Sequence, residues 1–333
     1  MVYVIFIADF PLEKTGVLST ATRLLKNFSE EFTFFANEEI EISGKKNKPI
    51  DDLKEYSIEN CLIFSHLECS KLPKYISIFP NALVHVGDWP GNYWRTVRSN
   101  RSLLVGFLGA VRLSVRLLRV PKTTKLIFVT DEDTISARRA GYKFSQTLLI
   151  GVDQPTVERS ASLHASELVF TGNFAYRPNQ QAAVALIEFA RLHPSYVTVL
   201  AGFNANILVE VAGDLPSNVE LYENLPSIVD FLSARRRIYV SLVRTGAGAK
   251  NKILEALVSG CPVVATTESL DASLINLGNI FLLEEFEELR PILARIQRSI
   301  SLEDASVRDV NKILSTRTWS VLSGLLEDML VST

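Results

Sequence analysis

The amino-acid sequence predicts an α/β protein of two Rossmann-like domains whose parallel sheets face one another across a cleft. Three observations predict it. Short runs rich in β-branched and aromatic residues alternate with helical stretches along nearly the whole chain, as parallel strands with crossover helices do. Most of those runs are apolar on both faces, which marks central strands covered on each side. The alternation also pauses once and restarts, and 333 residues exceed the roughly 100–200 typical of one domain.

The first set of strands is expected at 2–8 (VYVIFIA), 32–36, 61–66, 82–87 and 125–130. A polar run at 43–48, SGKKNK, reads as an exposed loop. The stretch 151–166 carries few pattern signals and reads as the linker. A second set follows at 167–172, 197–202, 219–222, 237–243, 262–267 and 279–283, and a last helix at 318–331. The expected organisation is an N-terminal domain over 1–155, a C-terminal domain over 156–316, and a terminal helix over 317–333 that packs back on the first domain.

Composition places the chain among ordinary globular proteins, with 47% hydrophobic and 22% charged residues. The N-terminus MVYVIFIADFPLEK lacks a basic leader and runs into charged residues, so it reads as a first strand rather than a signal peptide. No segment reaches the roughly 18 uncharged apolar residues of a membrane span, and a cytoplasmic protein is expected. Cys61, Cys69 and Cys261 show no metal-type spacing and read as reduced, buried thiols. No carboxylate cluster argues for a bound cation, so neither metal nor cofactor is expected.

Net charge is −2, but residues 1–150 carry 20 basic and 16 acidic side chains against 15 and 21 in the remainder. The basic excess is local: no acidic residue occurs from Trp89 to Thr130, where Arg95, Arg98, Arg101, Arg112, Arg116, Arg119, Lys122 and Lys125 stand. Segment 102–120 is apolar on one side with arginines at helical intervals. It suits an anionic membrane surface or a lipid diphosphate, with a solvated helix face as the bland alternative. Nucleic acid is disfavoured by the acidic overall balance and the lack of a recognition motif.

Ligands of doubly wound sheets bind beyond the carboxyl ends of the strands. In the second domain the strand ending at Val243 leads through RTGAGAK into a helix that Gly260 and Pro262 terminate. Gly246 and Gly248 leave the backbone open to a ligand, and the helix N-terminus offers N–H groups to an anion. Lys252 and Glu255, three apart, share one helix face. A lysine there can neutralise a pyrophosphate, and a carboxylate can accept hydrogen bonds from ribose hydroxyls. The alternative is a tight loop followed by a surface Lys–Glu pair. The pattern is neither a Walker loop nor the G-x-G-x-x-G dinucleotide fingerprint.

Three blocks carry a family resemblance: FTGNFAYRPNQQAAVALIEFA, VLAGF and VSLVRTGAGAKNKILEALVSGCPVVATT. Together, across 167–268, they resemble glycosyltransferases of the GT-B fold, close to the family 4-like, group 1 sugar transferases that build polysaccharides and glycolipids. The resemblance implies a retaining sugar transferase whose C-terminal domain binds a nucleotide-sugar donor and whose N-terminal domain binds the acceptor. It implies that Glu255 holds the ribose, that Lys252 and Arg244 hold the diphosphate, and that Gly172, Asn173, Gly202, Gly246, Ala247 and Gly248 lie along the donor, with Tyr222 and Glu223 bordering the base. Two departures stand out. Ala247 occupies the place of a first glutamate, removing a contact to the donor sugar, and VHVGDWPG offers Gly87 and Asp88 where relatives often carry a histidine.

On the acceptor side, Asp88 is ringed by Trp89, Asn92, Tyr93, Trp94 and Arg95, a mix of stacking and hydrogen-bonding groups. It is a candidate general base or acceptor ligand, or equally a turn-capping aspartate. Asp9, Gly16, His66, Trp89, Tyr93 and Arg95 complete the acceptor-side set, with a structural loop or core position as the alternative for Asp9 and His66. Two other classes stay open: a nucleotide-sugar epimerase, and a non-catalytic relative that serves as partner subunit to a transferase.

Overall fold

The computed structural model describes residues 1–9, 16–56, 58–90, 111, 115–160, 162, 164–244, 251–270, 274–298 and 302–332. The chain divides into two compact units. One comprises Met1–Gly151 with Trp319–Thr333, and the other Val152–Gly246 with Lys250–Thr318. The expected boundaries at 155/156 and 316/317 thus lie a few residues from the observed ones, and the reason is local. Val152 and Thr318 form a parallel bridge, with the Val152 N–H donating to the Arg317 carbonyl at 2.9 Å, so both belong to the second unit.

In the first unit, β1 (Val2–Phe6), β2 (Phe32–Ala36), β5 (Lys48–Pro49), β6 (Cys61–Phe64), β7 (Leu83–Gly87), β8 (Lys125–Phe128) and β9 (Ser145–Thr147) form a parallel sheet in the order β5-β2-β1-β6-β7-β8-β9. Strands β1 and β6 are buried on both faces, and Phe6 stacks on Phe64 with centroids 5.5 Å apart. The helix Asp131–Arg139 follows from its own sequence. The Thr130 hydroxyl accepts from the Asp133 N–H, three acidic residues occupy the first turn and two arginines the last, matching the helix dipole.

The run 43–48, expected as a loop, instead closes a hairpin between β3 (Glu41–Ile42) and β4 (Lys45–Lys46) and starts β5 at the sheet edge. Ser43 and Gly44, at φ 55° and 76°, make the left-handed two-residue turn that such a hairpin needs.

The second unit holds β10 (His164–Thr171), β11 (Val197–Gly202), β12 (Val219–Glu223), β13 (Arg237–Ser241), β14 (Val263–Ala265) and β15 (Ile280–Leu282). All pair in parallel in the order β12-β11-β10-β13-β14-β15, the doubly wound arrangement whose direction of winding reverses between β10 and β13. Strand β10 begins inside the stretch read as linker. It starts at His164, three residues before the expected 167, and Glu167, buried within it, binds Arg235 and, at 3.1 Å, Arg237.

The final helix, Trp319–Val331, belongs to the first unit. The Ser323 hydroxyl donates to the Leu24 carbonyl at 2.9 Å, and the Glu327 carboxylate accepts from the Ser29 and Glu30 N–H groups at 2.7 and 2.9 Å. Gly151 lies against Trp319 so closely that an added Cβ would sit 2.5 Å from the indole ring. Gly151→Ala should therefore destabilise the protein by about 1–3 kcal/mol in chemical denaturation. An unchanged midpoint and slope would show that Trp319 yields freely.

Candidate functional site

In the second unit the carboxyl ends of β10 and β11 are brought into backbone contact. Gly202, at φ +139°, lies where an added Cβ would meet the Gly172 carbonyl oxygen at 2.1 Å, so no side chain fits. The Gly172 N–H donates to Ala201 and the Phe174 N–H to Phe203, at 3.0 and 2.9 Å. Asn204, itself at φ 58°, donates through Nδ2 to Asn173 Oδ1 at 2.9 Å, and the same oxygen accepts from the Ala175 N–H. Gly172, Asn173 and Gly202 thus assemble one polar, side-chain-poor edge.

Lys252 joins them from the first turn of the helix Asn251–Val258. Its Nζ donates to Asn179 Oδ1 at 2.5 Å, lies 3.5 Å from the point a Gly172 Cβ would occupy, and stands 5.1 Å from the Phe170 ring centre. Glu255, one turn on, is half-buried beside Tyr239. Burial pushes the Tyr239 phenol up, and the Glu255 charge adds to that. The Tyr239 hydroxyl is 3.0 Å from Thr171 Oγ1, which ties the helix side of the site to the end of β10.

The other expected donor residues sit apart from this cluster. Arg244 is exposed and donates to the Glu284 carbonyl at 3.1 Å, beyond β15. Glu223 accepts from the Asn206 N–H at 2.9 Å, and Tyr222, on edge strand β12, packs on Phe231 and donates to Glu220. Gly246, Ala247 and Gly248 lie outside the described residues. The departure of the chain toward them is held by a buried hydroxyl cluster: Thr266 and Ser269 both donate to the Val243 carbonyl, and Ser269 lies 2.9 Å from Ser241.

In the first unit, residues after β1, β6 and β7 surround a cavity of about 300 Å³ lined by Asp9, His66, Leu67, Glu68, Cys69, Val86, Asp88, Pro90 and Arg116. This is the carboxyl edge where winding reverses between β1 and β6. Burial would raise the Asp9 carboxyl, but the Ser70 hydroxyl and N–H, at 2.7 and 2.9 Å, with the Cys69 thiol and the Arg116 charge, hold it below its ordinary value. Burial holds the His66 imidazole below its ordinary value and pushes the Cys69 thiol up, so Cys69 is a poor nucleophile. The Cys61 and Cys261 thiols, likewise buried, rise to about 12 and about 11.

Of the remaining acceptor-side candidates, Gly16 opens the helix Gly16–Leu25, while Tyr93 and Arg95 lie outside the described residues. Trp89 requires a correction. It is only 7% exposed and packs edge-on against Phe128 and Tyr142 in the core, so it offers no stacking face to a ligand. Sequence reasoning also missed Asn179, Asn204, Glu68 and the cavity role of Arg116. Asn179 stood within the quoted block, and Arg116 was visible only as one charge in a basic run.

Among the described residues no group of three or more His, Cys, Asp or Glu side chains is arranged to hold a metal ion, and no helix is long and apolar enough to cross a membrane.

Residues 165–296 match the family model Glycosyl transferases group 1. No curated protein matches the sequence. Solved structures similar over the full length of both chains include HepE of Anabaena in complex with UDP-glucose (TM-score 0.70, 13% identity) and WaaG, a glycosyltransferase involved in lipopolysaccharide biosynthesis (0.68, 16%). Sucrose-phosphate synthase of Thermosynechococcus elongatus is similar to the same degree (0.68, 14%). HepE is also solved with UDP and with UDP and glucose. At these identities the likeness establishes the GT-B fold.

In the first unit, His85 on β7 is 2% exposed, and neither ring nitrogen has a hydrogen-bond partner among the described residues. Burial, opposed in part by the residue's own backbone and aided by the neighbouring His66, pushes its pKa from 6.5 down to about 4. The folded state therefore keeps His85 neutral while the unfolded chain binds a proton below about pH 6.5. The stability this represents, roughly 3 kcal/mol, is present above that pH and lost as pH falls toward about 4. Unfolding free energies measured from pH 7 to 4 should fall less steeply for His85→Leu than for the wild type; parallel curves would contradict the assignment.

Proposed function

We propose that this GT-B protein, whose residues 165–296 form a group 1 glycosyltransferase domain, moves a sugar from a nucleoside-diphosphate donor to a saccharide or lipid-linked saccharide acceptor, with retention of anomeric configuration, in polysaccharide or glycoconjugate assembly. The observation that carries the reading is the Lys252 ammonium held beside Gly172 at the carboxyl edge of β10, with a helix N-terminus behind it and two glycine backbones bare of side chains. As the bond from sugar to diphosphate breaks, negative charge grows on the leaving phosphate. A fixed cation and oriented N–H groups stabilise that charge where it develops, without a metal. Glu255 receives the ribose hydroxyls, and Arg244 serves as a rim cation. Asp88, in the cavity of the first unit, contacts the acceptor hydroxyl, and the departing phosphate assists its deprotonation. UDP, which HepE binds, is the first donor base to test.

Calorimetric titration of the purified protein with UDP, GDP, ADP and CMP tests this. One nucleoside diphosphate should bind, with Lys252→Ala and Glu255→Ala each weakening it about tenfold or more. Asp88→Ala should keep donor affinity and lose turnover. If no nucleotide binds, the partner-subunit reading takes its place.

The same reading extends to where the enzyme works. Val111, Val115 and Leu118 are 45%, 48% and 82% exposed at helical spacing inside the acid-free basic segment, with Arg119 beside them. We propose that this segment rests on the anionic inner face of the membrane from the cytoplasm. The protein should sediment with phosphatidylglycerol-containing vesicles at low salt and release at high salt. Failure to sediment at low salt removes the proposal.

A further inference from the structure

We propose that Asn179 is a positioning residue for the donor: its side-chain amide aims the Lys252 ammonium at the ligand edge through a neutral acceptor, which adds no negative charge to oppose a diphosphate. The proposal rests on the donor reading above and adds to it a residue that touches Lys252 rather than the ligand.

Four observations converge on it. Asn179 is 6% exposed, so both ends of its amide must be satisfied inside the protein. Oδ1 accepts a hydrogen bond from the Lys252 ammonium at 2.5 Å, and Nδ2 donates to the Asn173 carbonyl at 2.9 Å. The orientation of the amide is fixed by its partners, because an ammonium only donates and a carbonyl only accepts. Space is reserved for it as well. A Cβ on Gly172 would meet Asn179 Nδ2 at 2.9 Å, so the bare glycine and the amide require one another. Finally, Asn179 sits in the first turn of the 16-residue helix Arg177–Leu192, entered through Pro178, with its N–H bonded to Tyr176 at 3.0 Å. The amide is therefore anchored to a rigid element.

Residue type decides between aiming a charge and merely filling a hole. An aspartate of the same size would bind the ammonium more strongly but would cancel its charge and oppose an incoming phosphate. An asparagine holds the ammonium in place without adding a negative charge of its own, which is what preorganised electrostatic stabilisation of an anion needs.

The test compares wild type, Asn179→Asp and Asn179→Ala by calorimetry against UDP, GDP and ADP and the matching monophosphates, with unfolding midpoints recorded without ligand. Asn179→Asp should lose about thirtyfold in affinity for the diphosphate that binds the wild type, and less than about threefold for its monophosphate, at an unchanged midpoint. Asn179→Ala, neutral and smaller, should lose about tenfold for the diphosphate alone. Equal losses for both nucleotides, or no loss, would overturn the role of Asn179 and leave the donor reading standing. A wild type that binds no diphosphate overturns both.

Discussion

Every strand pair in the two large sheets runs parallel, and that single constraint organises what the molecule can do. Parallel neighbours must be joined by a crossover, so each crossover begins at the carboxyl edge of its sheet. Residues far apart in sequence are delivered there together. In the second unit that edge collects Gly172, Asn204 and Lys252; in the first it collects Asp9, His66 and Asp88. Both sheets reverse their winding at the strand that opens the unit, so the richest collection lies next to β1 and β10.

The two edges are furnished differently. Around Gly172 and Gly202 side chains have been withdrawn, and among the described residues the groups left are backbone dipoles, neutral amides and one lysine. Around the first-unit cavity side chains are dense, with three carboxylates, a histidine held neutral-leaning by burial and an arginine that donates to the Glu68 carbonyl at 2.7 Å. The first suits an anion approaching the backbone closely; the second suits hydroxyl groups that need acceptors.

Apolar strands were legible because burial on both faces leaves nothing polar to confuse them, as in Cys61–Phe64 or Val263–Ala265. The two-residue β5 and three-residue β9 were not. They are polar edge strands, and their register comes from neighbours rather than from any pattern of their own. Lys252 and Glu255 could be read from spacing on one helix. Asn179 could not, because its meaning depends on Gly172 seven residues earlier and Lys252 seventy-three residues later. Trp89 was misread for the converse reason: an aromatic beside a candidate aspartate looks like a ligand platform until its ring is found between Phe128 and Tyr142.

The closing helix gives the molecule an order of assembly. The second unit lies between Val152 and Thr318 in the chain and holds all its own strands when Thr318 has been made. The first unit does not: Leu24 and the backbone after it await Ser323 and Glu327, and Gly151 awaits Trp319. On a ribosome the usual sequence, in which the amino-terminal part folds first, is therefore inverted at the last step. The half made first waits, with part of its apolar surface uncovered, for a helix made only after the second unit is finished.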